Sequence, residues 1–332
     1  MRAEGTRILT RSDVAALLDL DECIAAVEGA FRAHAEGRTL PPAVLSVPAT
    51  DGGFHVKAAG LRDQRTYFAA KTNANFPGNP ARTGLPAIQG VIVLCDGDDG
   101  FPLAVMDSIE ITARRTAAAT ALAARLLARP DATTATVCGC GTQGRVQLRA
   151  LCRVLPLRRV YAFDVEAAKA AAFAHELSSD LGLDARAVDD LARAAPESQV
   201  VVTCTPSRKA FLLPEHVTPG AFVAAVGADS PEKQELDPRL LASNTVIVDL
   251  LDSCAALGEL HHALAAGLMT REDVHAELAE VVVGRKTGRR AAEEIVVFDS
   301  TGTALQDVAA AAVVFEKAVA SGRGLVLPLN DL

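Results

Sequence analysis

The stretch Thr134-Ala-Thr-Val-Cys-Gly-Cys-Gly-Thr-Gln-Gly144 constrains the fold more than any other part of the chain. A β-branched run opens it, three glycines follow at G-x-G-x-x-G spacing, and a helical pattern starts at once. Gly139 permits the tight turn, Gly141 lets a pyrophosphate approach the main chain, and Gly144 lets the helix pack close to the strand. The helix start then offers N–H groups that lack intrahelical partners to phosphate oxygens. A second apolar run, 159–163, delivers the carboxylate of Asp164 twenty residues beyond Gly144, where an adenosine ribose belongs. Alone, the glycine pattern also describes a βα turn that binds nothing. Strand, helix, second strand and acid in one register point to a bound dinucleotide. Val165 and Glu166 come next, with no adjacent arginine to receive a 2′-phosphate, so NAD is expected rather than NADP.

With 332 residues the chain can bury a large core and is expected to form two domains. Half its residues are apolar and 22% are charged, the profile of a globular protein. The net charge of −8, without a long basic run, makes nucleic acid and anionic membrane poor partners. No stretch approaches the roughly 20 uncharged apolar residues that span a bilayer. Residues 1–7 lack the apolar segment of a signal peptide, so a cytoplasmic location is expected. Seven cysteines, an odd number scattered through apolar segments, fit reduced buried thiols better than a disulfide framework. Cys138 and Cys140 flank Gly139, but a thiolate pair there would occupy the phosphate site, and no nearby pair completes a tetrahedral set. His261-His262 falls in a helical stretch and reads as an exposed pair. No metal is expected.

Three regions follow along the chain. Residues 1 to about 110 mix an early helix, 13–36, with strands at 54–57, 67–71 and 90–95; Ser12 marks the helix start and Gly37 its end. Residues 96–100 make a turn between strands. This region is expected to be α+β with an antiparallel sheet. An alanine-rich helix, 111–128, is stopped by Pro130 and bridges to the next region. Strands at 134–138, 159–163, 200–204, 221–226, 245–248 and 294–298 then alternate with helices, the pattern of a parallel, doubly wound sheet. A last helix, 304–320, and an apolar tail close the chain. The fold class is therefore α/β: a Rossmann domain, 119–302, beside an α+β domain made of 1–118 and 303–332.

Substrate chemistry belongs at the C-terminal edge of the parallel sheet. Asp229 emerges there after the strand at 221–226, and it suits either a general acid/base or the cap of the following turn. Lys71 ends an apolar strand run, which suits a surface lysine with a buried stem as well as a buried cation. Arg115, near the start of the bridging helix, has a solvated helical face as its plain alternative. Together, two cations to hold a carboxylate and an anion to handle an ammonium are what a small amino-acid or imino-acid substrate needs.

The chain resembles the ornithine cyclodeaminase/mu-crystallin family over almost its whole length. The resemblance is carried by Lys71 with Asn75-Phe-Pro-Gly-Asn79, Gly84-Leu-Pro-Ala-Ile-Gln-Gly-Val91, Arg115-Thr-Ala-Ala118 and the 139–144 turn. Val226-Gly-Ala-Asp-Ser-Pro-Glu-Lys-Gln-Glu-Leu236 and Phe298-Asp-Ser-Thr-Gly302 complete it. It implies a homodimer paired through antiparallel sheets, and a C-terminal helix that folds back beside the N-terminal domain. By position it implies that Lys71 and Arg115 bind substrate and that Asp229 is the catalytic aspartate. Mu-crystallins that reduce ketimines resemble the rest but carry serine there, so Asp229 favours amine oxidation or cyclodeamination. The cofactor set so assigned comprises Gly139, Gly141, Thr142, Gln143, Gly144, Asp164, Thr203, Thr205, Val226, Gly227, Lys233 and Ser300.

Two departures bear on the substrate. Ala43 stands where the family usually has a carboxylate-gripping arginine or lysine, and Ala87 where cyclodeaminases often have threonine. His55 and Lys57, which alternate onto one strand face, are the substitute candidates. The expected activity is an NAD-dependent cyclodeamination, ornithine or lysine to proline or pipecolate with loss of ammonia. A simple amino-acid dehydrogenase or cyclic-imine reductase is the alternative within the family, and a non-catalytic, crystallin-like nucleotide binder the alternative outside catalysis.

Overall fold

The computed structural model describes residues 5–329. The leader reading at residues 1–4 and the last three residues of the apolar tail lie outside them. The chain divides into two compact units, one made of residues 1–115 and 303–332, the other of 116–302.

The first unit is built on a seven-stranded sheet. After β1 (Thr6–Leu9) come two helices, α1 (Arg11–Leu17) and α2 (Leu20–Ala35), then β2 (Thr39–Ala49), β3 (Gly52–Arg62) and β4 (Thr66–Asn75). A short helix, α3 (Asn79–Arg82), precedes β5 (Ile88–Asp96), β6 (Pro102–Asp107) and α4 (Ile109–Leu127). The single helix expected at 13–36 is thus two. Asp19 interrupts it by accepting from the Asp21 and Glu22 N–H groups, while Glu22 reaches back to the Asp19 N–H. Thr10, not Ser12, caps the first of them, in the same reciprocal arrangement with Asp13. β1 and β2 were not anticipated, and β6 was implied only by the turn at 96–100, without bounds of its own. β2 hides behind Pro41 and Pro42, whose missing N–H groups break the ladder, and the pairing with β3 shifts register between Leu40 and Ala43.

The strands β2 to β6 pair antiparallel in chain order, and β1 lies parallel to β6. A C-terminal strand, Leu325–Leu327, pairs with the other edge of β1. The C-terminal helix, Ala304–Ser321, packs against α2, β3 and β4, with Ala304, Leu305 and Ala309 against Ala30 and Ala59. Small residues at this contact let helix and sheet approach closely. Alternation is strict on β5, where Ile92 and Leu94 are buried and Val91 is exposed.

The second unit is a Rossmann domain. Its eight-stranded sheet is parallel throughout and runs, in chain order, β7 (Thr134–Cys138), β8 (Arg159–Phe163), β9 (Asp184–Val188), β10 (Val200–Thr203), β12 (Phe222–Ala225), β14 (Thr245–Val248), β15 (Ala276–Glu277) and β16 (Val296–Asp299). A separate two-stranded ribbon pairs β11 (Arg208–Leu212) with β13 (Gln234–Leu236). The helices α5 (Thr142–Val154) and α6 (Ala167–Leu181) follow β7 and β8. In space the order is β15-β14-β16-β12-β10-β7-β8-β9, so the chain reverses direction across the sheet between β7 and β10. Ligands bind at such a switch point. The strands β10, β12, β14 and β16 are buried along their whole length, which is why they read as continuous apolar runs.

All seven cysteines are free thiols. Burial pushes the Cys140 thiol up to about 12 and holds the Cys138 thiol well above its usual value, so both stay protonated. The His261-His262 pair is not exposed as expected. It is half-buried, and His262 Nε2 lies 2.7 Å from the Lys233 carbonyl. Among the described residues no helix is long and apolar enough to cross a membrane, and no group of three or more His, Cys, Asp or Glu side chains is placed to hold a metal.

Candidate active site

In the first unit, antiparallel pairing sets Lys57 directly opposite Lys71, so both side chains leave the sheet on one face. That face is covered by the C-terminal helix. Lys71 Nζ lies 2.8 Å from Asp307 Oδ2, and Arg115 Nε donates to Asp307 Oδ1 at 2.8 Å. The other arm of Arg115 donates to Gln306 Oε1 at 2.9 Å. Lys57, Lys71, Arg115 and Asp307 are all buried. Lys71 and Arg115 share one carboxylate, and the charge of Lys57 lies close by. Lys57 does not stand in bulk water; its charge bears on both Lys71 and Asp307.

The electrostatics follow from this crowding. Burial, then the neighbouring charges of Arg115 and Lys57, bring the Lys71 ammonium down to about 7. Burial alone would raise the Asp307 carboxyl, but Arg115, Lys71 and Lys57 together hold it below its ordinary value. Arg114, next in sequence to Arg115, faces elsewhere and donates to the carbonyls of Ala15 and Leu18. His55 shares the face of Lys57 by alternation, with Nδ1 3.0 Å from Ser46 Oγ. The strand register places Ala43 opposite Ala58, and Val44 opposite Lys57. A cation at 43 would therefore leave the sheet on the face away from Lys57 and Lys71.

Asp307 and Gln306 were missed from the sequence. The available signal was a lone acid in the first turn of a helix that is otherwise almost entirely apolar, where it cannot be solvated.

In the second unit, β7 ends at Cys138 and the turn begins with Gly139 at φ +102°. Gly141 caps α5 without a side-chain hydrogen bond, and a Cβ built on it would meet open space. A Cβ on Gly144 would fall 2.2 Å from the Gly139 carbonyl oxygen, so only glycine lets the helix sit this close. Thr142 and Gln143 form the first turn of α5, where the Gln143 amide nitrogen is buried without a hydrogen-bond partner. An uncapped helix start, an open cradle and an unused donor fit a dinucleotide phosphate. At the tip of β8, Asp164 accepts from the Cys140 N–H at 2.9 Å and the Glu166 N–H at 3.0 Å, which fixes its carboxylate beside the turn.

Further along the sheet edge, Thr203, Thr205 and Gly227 converge on a buried acid rather than on open space. Thr203 Oγ1 donates to Glu235 at 2.8 Å, the Thr205 hydroxyl at 2.7 Å and the Gly227 N–H at 2.9 Å. Val226 is half-buried, its N–H bonded to the Thr203 carbonyl at 2.9 Å. Ser300 is also turned inward and donates to Asp249 at 2.8 Å. Asp229 is exposed, and Lys233 Nζ lies 2.6 Å from its Oδ1 and 3.4 Å from the Gly227 carbonyl. Glu235 was quoted within the 226–236 motif but given no role by the sequence reading.

A parallel sheet with a dinucleotide turn at its switch point, and in the other unit a buried cluster of cations about one carboxylate, define the class: a dinucleotide-dependent α/β enzyme. The chain belongs to the ornithine cyclodeaminase/mu-crystallin family, whose model matches residues 4–322. It is 40% identical to an alanine dehydrogenase of Archaeoglobus fulgidus over 319 residues, 96% of this chain and 97% of that one. An archaeal alanine dehydrogenase dimer with bound NAD superposes with a TM-score of 0.93 at 39% identity, covering 98% of this chain and 99% of that one. The Thermococcus litoralis Δ1-pyrroline-2-carboxylate reductase, in complex with NADH and L-proline, superposes at 0.92 with 31% identity over 97% and 100% of the two chains.

Proposed function

We propose that this chain is an NAD-dependent oxidoreductase that interconverts a small α-amino acid and its α-imino acid. The observation that carries the reading is the buried gathering of Lys57, Lys71 and Arg115 about Asp307, a set of donors suited to a substrate carboxylate. When bound, NAD would supply the hydride chemistry at the substrate Cα. Arg115 and the two lysines hold the carboxylate and thereby orient that carbon. Asp229 takes a proton from the substrate ammonium during oxidation and gives one to the imine during reduction. Gly139, Gly141, Thr142, Gln143 and Gly144 cradle the pyrophosphate, and Asp164 holds the ribose. In this reading Thr203, Thr205, Val226, Gly227 and Ser300 shape the cofactor bed from behind, while Lys233 aims Asp229.

Alanine and proline, named with the relatives, are small and carry no distal amine. The charged groups that bear on Lys71 are Arg115, Asp307 and Lys57, and Asp307 is committed to two of these cations. That pattern supports a substrate without a second ammonium. Cyclodeamination of ornithine or lysine is the second reading, favoured by Asp229 at the family's catalytic position. Alanine, other α-amino acids, diamino acids and cyclic imines, each followed by NADH absorbance and by product mass, separate the two. Net NADH change with an oxo-acid or amino-acid product supports the first. Ammonia release and ring closure without net NADH change replaces it with the second, and binding of NAD(H) with no turnover on any of them leaves a nucleotide-binding protein. The same proposal includes a homodimer and the cytosolic setting expected from the sequence.

A further inference from the structure

Glu235, in the middle of β13, is fully buried, and every hydrogen bond given to its carboxylate comes from a neutral donor. Oε1 accepts from the Thr205 N–H at 2.6 Å and the Thr205 hydroxyl at 2.7 Å. Oε2 accepts from the Thr203 hydroxyl at 2.8 Å and the Gly227 N–H at 2.9 Å. Each oxygen thus takes one main-chain N–H, and a main-chain N–H cannot turn round to accept. Burial pushes this carboxyl up, while the four donors from Thr203, Thr205 and Gly227 oppose that shift by favouring the ionised form, and a carboxamide could not accept at both positions. Contact with the loop is direct: a Cβ on Gly227 would fall 2.4 Å from Oε2. Beneath it, Glu259 fixes the main chain by accepting from the Glu235 N–H at 2.7 Å and the Leu236 N–H at 3.2 Å. The carboxyl is therefore held by neutral donors, two hydroxyls and two main-chain N–H groups, behind the C-terminal ends of β10 and β12.

Those two ends have a defined relation to the cofactor. The chain reverses between β7 and β10, and the adenosine side is marked by Asp164 at the tip of β8. The nicotinamide side therefore belongs over β10 and β12. On taking a hydride, two electrons and a proton from a substrate C–H, the nicotinamide ring passes from a cation to a neutral ring. A fixed anion nearby stabilises only the first of these states.

We propose that Glu235 is a positioning residue that sets the redox preference of the bound cofactor, its buried charge favouring NAD+ over NADH while its four hydrogen bonds hold Thr203, Thr205 and Gly227 in place. The inference rests on the NAD reading above. Its test is the dissociation constant of each cofactor form, measured by calorimetry for the wild-type protein, Glu235→Gln and Glu235→Asp. The wild type is expected to bind NAD+ no more weakly than NADH. Glu235→Gln is expected to shift the ratio toward NADH by about three- to tenfold, as loss of one nearby unit charge implies. Glu235→Asp, which keeps the charge on a shorter arm, is expected to weaken both forms and hold the ratio. A wild type that prefers NADH, or a Gln variant that loses both forms equally, overturns the proposal. If Glu235→Gln does not fold, the wild-type and Asp measurements decide alone. A wild type that binds neither form overturns the NAD reading itself, a result distinct from an unmoved ratio.

Discussion

Lys71 loses its proton near pH 7 in the folded protein, against an ordinary value of 10.5. Between those two values the unfolded chain binds the extra proton, so the lysine's contribution to stability improves as pH rises from about 7 to 10.5 and is a cost below. A carboxylate bound beside it restores the ammonium. Binding of an unreactive carboxylate analogue is therefore expected to take up a proton and to weaken as pH rises from about 6 to about 8.5, and calorimetry in two buffers of different ionisation heat measures both. An affinity flat across that range would remove Lys71 from the carboxylate site. Lys57 faces the same cluster, and a charge-assisted pair in a partly desolvated site contributes roughly 1.5–3 kcal/mol. Lys57→Ala is expected to raise KM for a carboxylate substrate at least about tenfold, the lower end of that contribution, with cofactor affinity unchanged. For Asp229, the asparagine variant keeps shape and loses proton transfer, so turnover is expected to fall by about 10²- to 10⁴-fold. Turnover above a third of wild type would leave Asp229 as no more than the partner of Lys233.

At the scale of elements, the turn between β7 and α5 makes the clearest prediction. Asp164 is anchored by two N–H groups, Val165 after it is exposed, and Arg145 on α5 is engaged with Glu176 at 2.7 Å. Lys169, a cation whose charge bears on Asp164, is paired with Glu166, so a 2′-phosphate would meet two carboxylates there. NAD(H) is expected to bind more tightly than NADP(H) by at least ~1.4 kcal/mol, about tenfold, and titration of both by calorimetry checks it. Six of the eight parallel strands were legible because each reads as a buried apolar run, punctuated by a glycine turn or a cap, whereas the largely exposed edge strand β9 and the two-residue β15 were not. The first unit was less so. Its bulged, proline-bearing β2 carries no apolar alternation, and the break at Asp19 is visible only as a local capping pattern with Glu22. Lys57 and Lys71 were legible as candidates, but their meeting depends on a pairing register that no local pattern encodes. Asp307 lies 236 residues from the lysine it neutralises, beyond any local reading.

At the scale of the whole molecule, the outer face of the first unit's sheet is apolar and open. Cross-strand pairing gathers Leu45, Val56 and Val91 there with Thr72, and Leu45 is 59% exposed. This is the face on which a second copy of the chain is proposed to dock, since exposed apolar patches of this kind mark interfaces. Leu45→Asp is expected to convert a dimer to a monomer in sedimentation analysis, with the fold retained; an unchanged oligomer would place the contact elsewhere. The return of the C-terminal helix to the first unit has a different kind of consequence. A ribosome making this protein releases Lys57, Lys71 and Arg115 long before Asp307, with the entire contiguous nucleotide-binding unit emerging in between. The inserted unit has all its strands in hand and is free to fold as it appears, whereas the unit that begins the chain must wait for the chain's end. A stalled or shortened product ending near residue 302 therefore keeps the nucleotide-binding unit whole and leaves Lys71 and Arg115 without Asp307, so loss of the last thirty residues is expected to end turnover while NAD binding survives.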